Sequence, residues 1–178
     1  MDLYPDPPLP PFRRTPLPEG VNALVLFVSV NVKDVAEQGR LFQWNKPRFC
    51  PKCHSKLWWH GFVLAYFACC PEPVLLRRLR CSKCRAVHRL RPAGYFRRFR
   101  SSVREISQSI KHRNEHHRWD PGLPRSRQRQ WWRRLGRMVI AFLGCTCSYS
   151  APKAFARLMA LNIIPVTAAR KSENITAR

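Results

Sequence analysis

The sequence predicts a small α+β protein in which four cysteines hold together a short antiparallel sheet, and a helical segment follows. Three observations predict this fold class. Two C-x-x-C pairs, Cys50 with Cys53 and Cys81 with Cys84, have 27 residues between them. β-prone runs lie between and after the pairs. A basic stretch with helical periodicity comes next.

The two cysteine pairs predict a structural Zn²⁺ site. Each C-x-x-C turn offers two sulfurs to one ion, and two such turns complete a tetrahedral set of soft ligands. Because four thiolates leave no open position for water, we expect the ion to stabilise the fold. A small sheet with zinc at one end is a zinc ribbon. Alternative ligands are three histidines, namely His54, His60 and His88.

Aromatic and β-branched runs predict the strands of this ribbon. The strands are expected at residues 57–67, 74–80 and 87–90, and a turn at residues 69–73. The turn contains Cys69 and Cys70, which we expect to lie away from the metal. Strand alternation predicts that one of Trp58 and Trp59 is in the core and the other is exposed.

Composition divides the chain into five parts. They are a Pro-rich disordered leader (1–20), a strand and short helix that pack on the ribbon (21–46), the ribbon (47–93), a basic helical segment (95–146), and a C-terminal helix with a disordered tail (147–178). The strand of the second part is expected to be buried over residues 21–32. No apolar run approaches the length of a membrane span, and no signal-peptide layout is present. A cytoplasmic protein with reduced thiols and no membrane partner is therefore expected.

Two helices are predicted in the basic segment. The first covers residues 95–119, with Ser101 or Ser102 as its N-cap. The second is capped by Ser126 and continues towards Phe142. Their apolar stripes are Val103, Ile106 and Ile110 in the first helix, and Trp131, Leu135 and either Met138 or Val139 in the second. Two helices joined by a turn are expected to form a helix-turn-helix-like unit.

Charge indicates the class of partner. The chain has 33 Lys and Arg against 10 Asp and Glu, a net charge of +23. Residues 41–140 hold 24 basic and four acidic residues, so they carry nearly all of the excess. Solubility does not require so large a charge, and Arg suits forked contacts with phosphate and guanine. A nucleic acid is the predicted partner, DNA ahead of RNA, which would place the protein on the nucleoid.

The predicted DNA contacts follow from these elements. Arginines of the second strand and of the segment after the ribbon are expected to contact phosphate, namely Arg77, Arg78, Arg80, Arg97, Arg98 and Arg100. A recognition helix presents its N-terminal side chains to base edges and later ones to phosphate. The candidates in the second helix are Arg127, Gln128, Gln130, Arg133 and Arg134.

Four stretches of the chain resemble a family of small bacterial zinc-ribbon proteins, namely CPKC, WWHGFVLAYF, RRLRCSKCRAVHRLRP and RQWWRRL. That family in turn resembles the N-terminal zinc-ribbon and helix-turn-helix part of insertion-sequence transposases. The matching positions are Cys50, Cys53, Cys81, Cys84, His60, Gly61, Arg80, His88 and Pro92. The chain departs from the transposase pattern at His54 and Arg85, where Gly is usual. The resemblance implies a DNA-binding protein of a mobile element or a regulator.

Catalysis is not expected. Two-metal nuclease or transposase chemistry requires clustered carboxylates, and the basic region offers only Glu72, Glu105, Glu115 and Asp120. Two other functions stay open. One is RNA binding, with Trp58, Trp59, Trp131 and Trp132 as stacking platforms. The other is a protein–protein adaptor. A homodimer or a transposase is a possible protein partner.

Overall fold

The computed structural model describes residues 24–144, 146 and 148–167. The chain divides into two compact units. The described part of the first, the sheet unit, is residues 24–103, and the second, the helical unit, begins at Arg104. The predictions for the Pro-rich leader and for the tail after residue 167 lie outside the described residues, as do Cys145 and Cys147.

The sheet unit is built on four strands, β1 (Val25–Val28), β2 (Leu57–Ala65), β3 (Val74–Cys81) and β4 (Val87–Pro92). Their order across the sheet is β1-β4-β3-β2. The last three pair antiparallel, as the sequence predicts. The first pairs parallel with β4, with Val25 beside Arg89. The protein is therefore a small α+β fold with a mixed sheet.

β1 is shorter and less buried than predicted. It lies at one edge of the sheet, and Leu26 is its one buried residue. The helix α1 (Val32–Gln38) follows, with the side chain of Asn31 accepting a hydrogen bond from the Lys33 amide at 3.0 Å. Val32 and Val35 are buried on the side of α1 that packs against β3. The prediction of a short helix in this region is confirmed.

β2 forms the other edge of the sheet and carries a bulge. His60 and Gly61 together lie opposite Arg78, so the register shifts by one residue between Trp59 and Phe62. Gly61 has φ +78, a left-handed conformation that glycine adopts without steric cost. A bulge of this kind bends an edge strand and interrupts its row of free backbone groups.

Both faces of the sheet bury apolar side chains. Successive side chains of a strand alternate between faces, so Leu76 and Leu79 of β3 point in opposite directions. One cluster packs α1 on the sheet and contains Val32, Val35, Ala65, Phe67, Val74 and Leu76. The other surrounds the cysteines and contains Leu26, Cys50, Leu57, Leu79, Cys81 and Leu90. The second cluster positions the candidate metal ligands.

Three helices follow, α2 (Val103–His116), α3 (Arg125–Leu143) and α4 (Ala151–Ala160), and all of their residues except Val103 belong to the helical unit. Ile106 and Ile110 are buried on α2, and Trp131, Leu135 and Met138 on α3, which confirms most of the predicted stripes. α4 packs against α3 and buries Phe155 and Leu158. No helix in the described part of the chain is long and apolar enough to cross a membrane.

Two predicted helix starts were wrong. Residues 95–102 form turns, in which Arg98 has φ +67 and the buried Arg91 guanidinium donates a hydrogen bond to the Phe99 carbonyl. A left-handed residue cannot continue a helix, so α2 begins only at Val103, directly after Ser102, which is one of the two predicted N-cap residues. α3 begins at Arg125, directly after Pro124, and Ser126 lies inside it. The fixed φ of proline suits the start of a helix.

Candidate metal centre and basic surfaces

Two turns of the same geometry carry the four cysteines. In the first, the Cys50 amide donates to the Ser55 carbonyl at 2.8 Å. In the second, the Cys81 amide donates to the Ala86 carbonyl at 3.0 Å, again five residues further on. The Ser82 amide also donates to the Lys56 carbonyl, at 3.2 Å. Backbone hydrogen bonds therefore fix both turns and join them.

The residue after each second cysteine adopts a left-handed conformation. His54 has φ +58 and Arg85 has φ +55. These are the two positions at which the chain departs from the transposase pattern, where Gly is usual. A non-glycine residue in this region costs about 1–2 kcal/mol. Both turns nevertheless form with the side chains that this chain has.

The four sulfurs lie close enough for one ion. The Cys53 and Cys81 sulfurs are 3.3 Å apart and the Cys50 and Cys84 sulfurs 3.7 Å, and all four lie within 4.8 Å of one another. A tetrahedral ion with metal–sulfur bonds of about 2.3 Å requires sulfurs about 3.8 Å apart. The cluster thus fits a tetrahedral metal ion, and the prediction that these four cysteines converge is confirmed.

The environment of the cluster differs from one thiol to the next. Burial raises the pKa of Cys50 to about 12. Backbone hydrogen bonding at Ser55 lowers the pKa of Cys53 to about 6, with a further contribution from Cys81. Because a metal ligand must be a thiolate, the deeply buried Cys50 needs a cation beside it to lose its proton. A divalent ion held by the four cysteines would supply that charge.

His88 lies beside the cluster and hydrogen-bonds to one of its sulfurs. Its side chain is fully buried, and Nε2 is 3.3 Å from the Cys50 sulfur. Nδ1 accepts the Leu24 amide hydrogen at 3.3 Å, so the proton of the neutral ring is on Nε2. Burial lowers the pKa of His88, which favours this neutral form. His88 therefore donates to Cys50, as residues behind metal ligands commonly do.

The vicinal cysteines lie away from the four-cysteine cluster, as expected. The Cys69 sulfur is 3.7 Å from the Cys70 sulfur and 3.3 Å from the Tyr95 hydroxyl oxygen. Cys70 packs against the apolar cluster under α1.

The three predicted arginines of β3 have different surroundings. Arg80 is exposed. The half-buried Arg77 guanidinium lies over two rings, 4.8 Å from the centre of Trp59 and 4.3 Å from that of Phe62. Arg78 is half-buried, and its Nε is buried with no hydrogen-bond partner among the described residues. Arg80 is thus the most accessible of the three.

The turn that follows β4 presents its arginines to solvent. Arg97, Arg98 and Arg100 are all exposed, although they lie in turns and not in the predicted helix. The Arg100 guanidinium is 5.0 Å from the centre of the Tyr66 ring. The Ala68 amide donates to the Arg100 carbonyl at 2.9 Å, which ties this turn to the loop after β2.

Gln128 was wrongly predicted to contact bases. Only 1% of its surface is exposed, and its amide bonds within the helical unit. Its Oε1 accepts from Ser109 Oγ at 2.9 Å and from the Asp120 amide at 3.0 Å. Its Nε2 donates to the Asp120 and Leu123 carbonyls at 2.7 and 2.9 Å. Gln128 therefore fixes the loop between α2 and α3 and has no free face for DNA.

The other candidates on α3 are more accessible. Gln130 and Arg133 are exposed, and Arg134 is half-buried. Arg127 is half-buried and forms an ion pair with Glu105 of α2 at 3.8 Å. Such a pair engages part of its guanidinium within the protein.

Both ribbon tryptophans are exposed, so the prediction that one of them is in the core was wrong. Trp58 is 59% and Trp59 39% exposed, because β2 is an edge strand. The Lys46 ammonium lies 5.9 Å from the centre of each ring. Trp131, in contrast, is 3% exposed and packs in the helical core, so it cannot serve as a stacking platform.

Lys46 and Arg85 were not among the predicted contact residues, although both lie beside the exposed tryptophans. Lys46 precedes the first cysteine turn and Arg85 lies in the second, and the sequence alone does not place either residue next to β2.

No protein-family model matches the chain, and neither a curated protein nor a solved structure matches it. The likeness to small bacterial zinc-ribbon proteins stays a prediction.

Proposed function

We propose that this protein is a zinc-stabilised, double-stranded-DNA-binding protein, related to transposases or acting as a regulator. Zn²⁺ is the ion we assign to the four-cysteine cluster, since four sulfurs at tetrahedral spacing suit it. It would be held by Cys50, Cys53, Cys81 and Cys84, with His88 behind Cys50. Its contribution would be folding energy for the sheet unit.

The observation that carries the DNA proposal is the uncompensated positive charge of the sheet unit. Residues 24–103 contain 16 Lys and Arg against three acidic residues. Three carboxylates cannot neutralise 16 cations, and several of these cations are exposed. Phosphate contacts by Lys and Arg release counterions from DNA and supply most of its non-specific affinity.

The helical unit supplies the candidate base contacts. Because Gln128 is buried, the exposed residues among the predicted contacts of α3 are Gln130 and Arg133, while Arg127 is engaged with Glu105. The eight residues that join α2 to α3 exceed the three or four of a typical helix-turn-helix. We therefore propose recognition through exposed positions of α3, without requiring that motif.

The proposal is tested by measuring the affinity of the zinc-loaded protein for a random duplex-DNA pool over a salt series. Log K is expected to fall linearly with log salt, with a slope of about −0.9 for each phosphate neutralised. Arg97→Gln with Arg100→Gln should reduce this slope more than the charge-matched pair Lys33→Gln with Arg40→Gln, because Lys33 and Arg40 lie in the same segment as the acidic Asp34 and Glu37. Affinity that does not depend on salt would sink the proposal and favour the protein–protein adaptor.

RNA is the second candidate partner. The exposed indoles of Trp58 and Trp59 favour it, because sequence-specific RNA recognition commonly stacks unpaired bases on aromatic side chains. Tighter binding of RNA than of DNA of the same sequence, with dependence on the 2′-hydroxyl, would select this alternative.

A further inference from the structure

A shallow groove lies between the edge strand β2 and the second cysteine turn. Its volume is about 320 Å³, at the lower end of the range for small-ligand clefts. It is lined by Trp58, Trp59, His60, Arg80, Cys81, Ser82 and Arg85. Trp58 and Arg80 are register partners across β2 and β3, so their side chains lie on the same face of the sheet.

The lining of the groove combines aromatic rings with positive charge. Two indoles and the imidazole of His60 offer flat apolar surfaces, and Arg80 and Arg85 offer guanidinium groups. None of the described residues that line the groove carries a carboxylate. An aromatic and anionic ligand matches both properties.

We propose that this groove binds an unpaired nucleotide of a single-stranded nucleic acid. An indole, foremost that of Trp58, would stack on the base, and Arg80 and Arg85 would contact the adjacent phosphates. The inference rests on the proposed function, because it takes a nucleic acid as the partner. It adds that the nucleic acid is unpaired where it enters this groove.

We infer a single-stranded partner because an exposed indole can stack only on a base whose face is accessible. In a duplex the faces of the bases are covered by their stacked neighbours, and a tryptophan at the surface reaches them only if the stack opens. In a single strand every base has an accessible face, and stacking on an aromatic side chain tolerates any sequence. A groove that combines stacking rings with arginines is therefore suited to a flexible strand.

The test compares variants by fluorescence anisotropy with labelled (dT)12, with U12 and with a 12-base-pair duplex. Trp58→Ala should weaken binding of both single strands by about tenfold or more, the effect of losing one base–aromatic stack. Trp58→Phe should retain part of the affinity. Leu64→Ala is the control, since Leu64 is also exposed on β2 but does not line the groove. Arg85→Gln should weaken single-strand binding and reduce its salt dependence.

Metal content and thermal unfolding of each variant show that it is folded. Wild-type affinity for single strands in folded Trp58→Ala overturns the inference. If the duplex binds and the single strands do not, the inference fails and the proposed function stands. If neither binds, both fail. A dimer that depends on Trp58, with single-strand affinity unchanged by the substitution, would instead assign β2 to self-association.

Discussion

His88 Nε2 lies 3.3 Å from the sulfur of Cys50, and the same ring accepts the Leu24 amide through Nδ1. One buried side chain of β4 therefore joins the candidate metal cluster to the residue that precedes β1. The Arg89 amide donates to the Leu24 carbonyl at 3.0 Å, which strengthens this connection. The position of β1 and the electron density on the Cys50 sulfur are consequently coupled through a single imidazole.

His88→Phe is expected to weaken zinc binding about 10- to 100-fold, the usual effect of losing a group behind a metal ligand. Phenylalanine fills the buried space of the ring but can neither donate to Cys50 nor accept from Leu24. Competition with a chromophoric zinc chelator measures the affinity. His60→Phe is the control, because His60 is half-exposed on β2 and is not among the clustered ligands. Equal affinities in the two variants would contradict the role assigned to His88.

Cys81→Ser is expected to abolish stable zinc binding and to unfold the sheet unit. A serine hydroxyl is a poor substitute for a thiolate at a tetrahedral zinc site, and the free energy of metal binding is folding free energy in such domains. Elemental analysis should fall from about one zinc per chain to none, and the cooperative thermal transition should be lost. Cys69→Ser is the matched control and should keep the metal, since Cys69 lies apart from the cluster. A folded, zinc-loaded Cys81→Ser protein would refute the assignment.

Local signals in the sequence correctly predicted the three antiparallel strands and the four cysteines that cluster. The C-x-x-C spacing and the β-branched runs each act over a few residues, so their structural meaning does not depend on the rest of the chain. The parallel pairing of β1 with β4 involves residues more than 60 positions apart. Nothing in either segment specifies that partner, and the same holds for the edge position of β2 that exposes Trp58 and Trp59.

A periodic signal for the burial of Gln128 is present in the sequence. Gln128 precedes the buried Trp131, Leu135 and Met138 by three, seven and ten residues, so it lies on the same side of α3. The periodicity alone did not indicate burial, because a glutamine amide is usually buried only where it has hydrogen-bond partners. The partners belong to α2 and to the loop after it, and the fold was needed to identify them.

Arg85→Gly is expected to stabilise the sheet unit by up to about 1.5 kcal/mol. Arg85 has φ +55, where an L-residue is strained by about 1–2 kcal/mol, and glycine relieves this at an entropic cost of about 0.5–1 kcal/mol. Arg85→Val should destabilise the unit, since a β-branched residue is least tolerated at positive φ. Denaturant unfolding of the zinc-loaded proteins measures both effects. If the Arg85→Gly and Arg85→Val proteins had equal free energies of unfolding, the strained geometry of this turn would be contradicted.

Gln128→Ala is expected to lower the free energy of unfolding by roughly 2 to 4 kcal/mol. The substitution leaves the Ser109 hydroxyl, the Asp120 amide and two carbonyls without the partner that they have in the native protein. Each buried polar group that loses its hydrogen bond costs about 1–3 kcal/mol, and entry of water into the loop reduces the total. Thermal or denaturant unfolding measures the change.

Gln130→Ala is the matched control for Gln128→Ala, two residues further along the same helix. Gln130 is exposed, so its loss should change stability by less than about 0.5 kcal/mol. If α3 contacts DNA bases, Gln130→Ala should lower affinity for the preferred duplex by about 1–3 kcal/mol and leave non-specific affinity unchanged. The expected result is that Gln128→Ala loses stability and Gln130→Ala loses specificity. This result would separate the structural face of α3 from its proposed recognition face. Stability loss at both positions, with specificity retained in Gln130→Ala, would show that α3 is a supporting helix and does not recognise DNA.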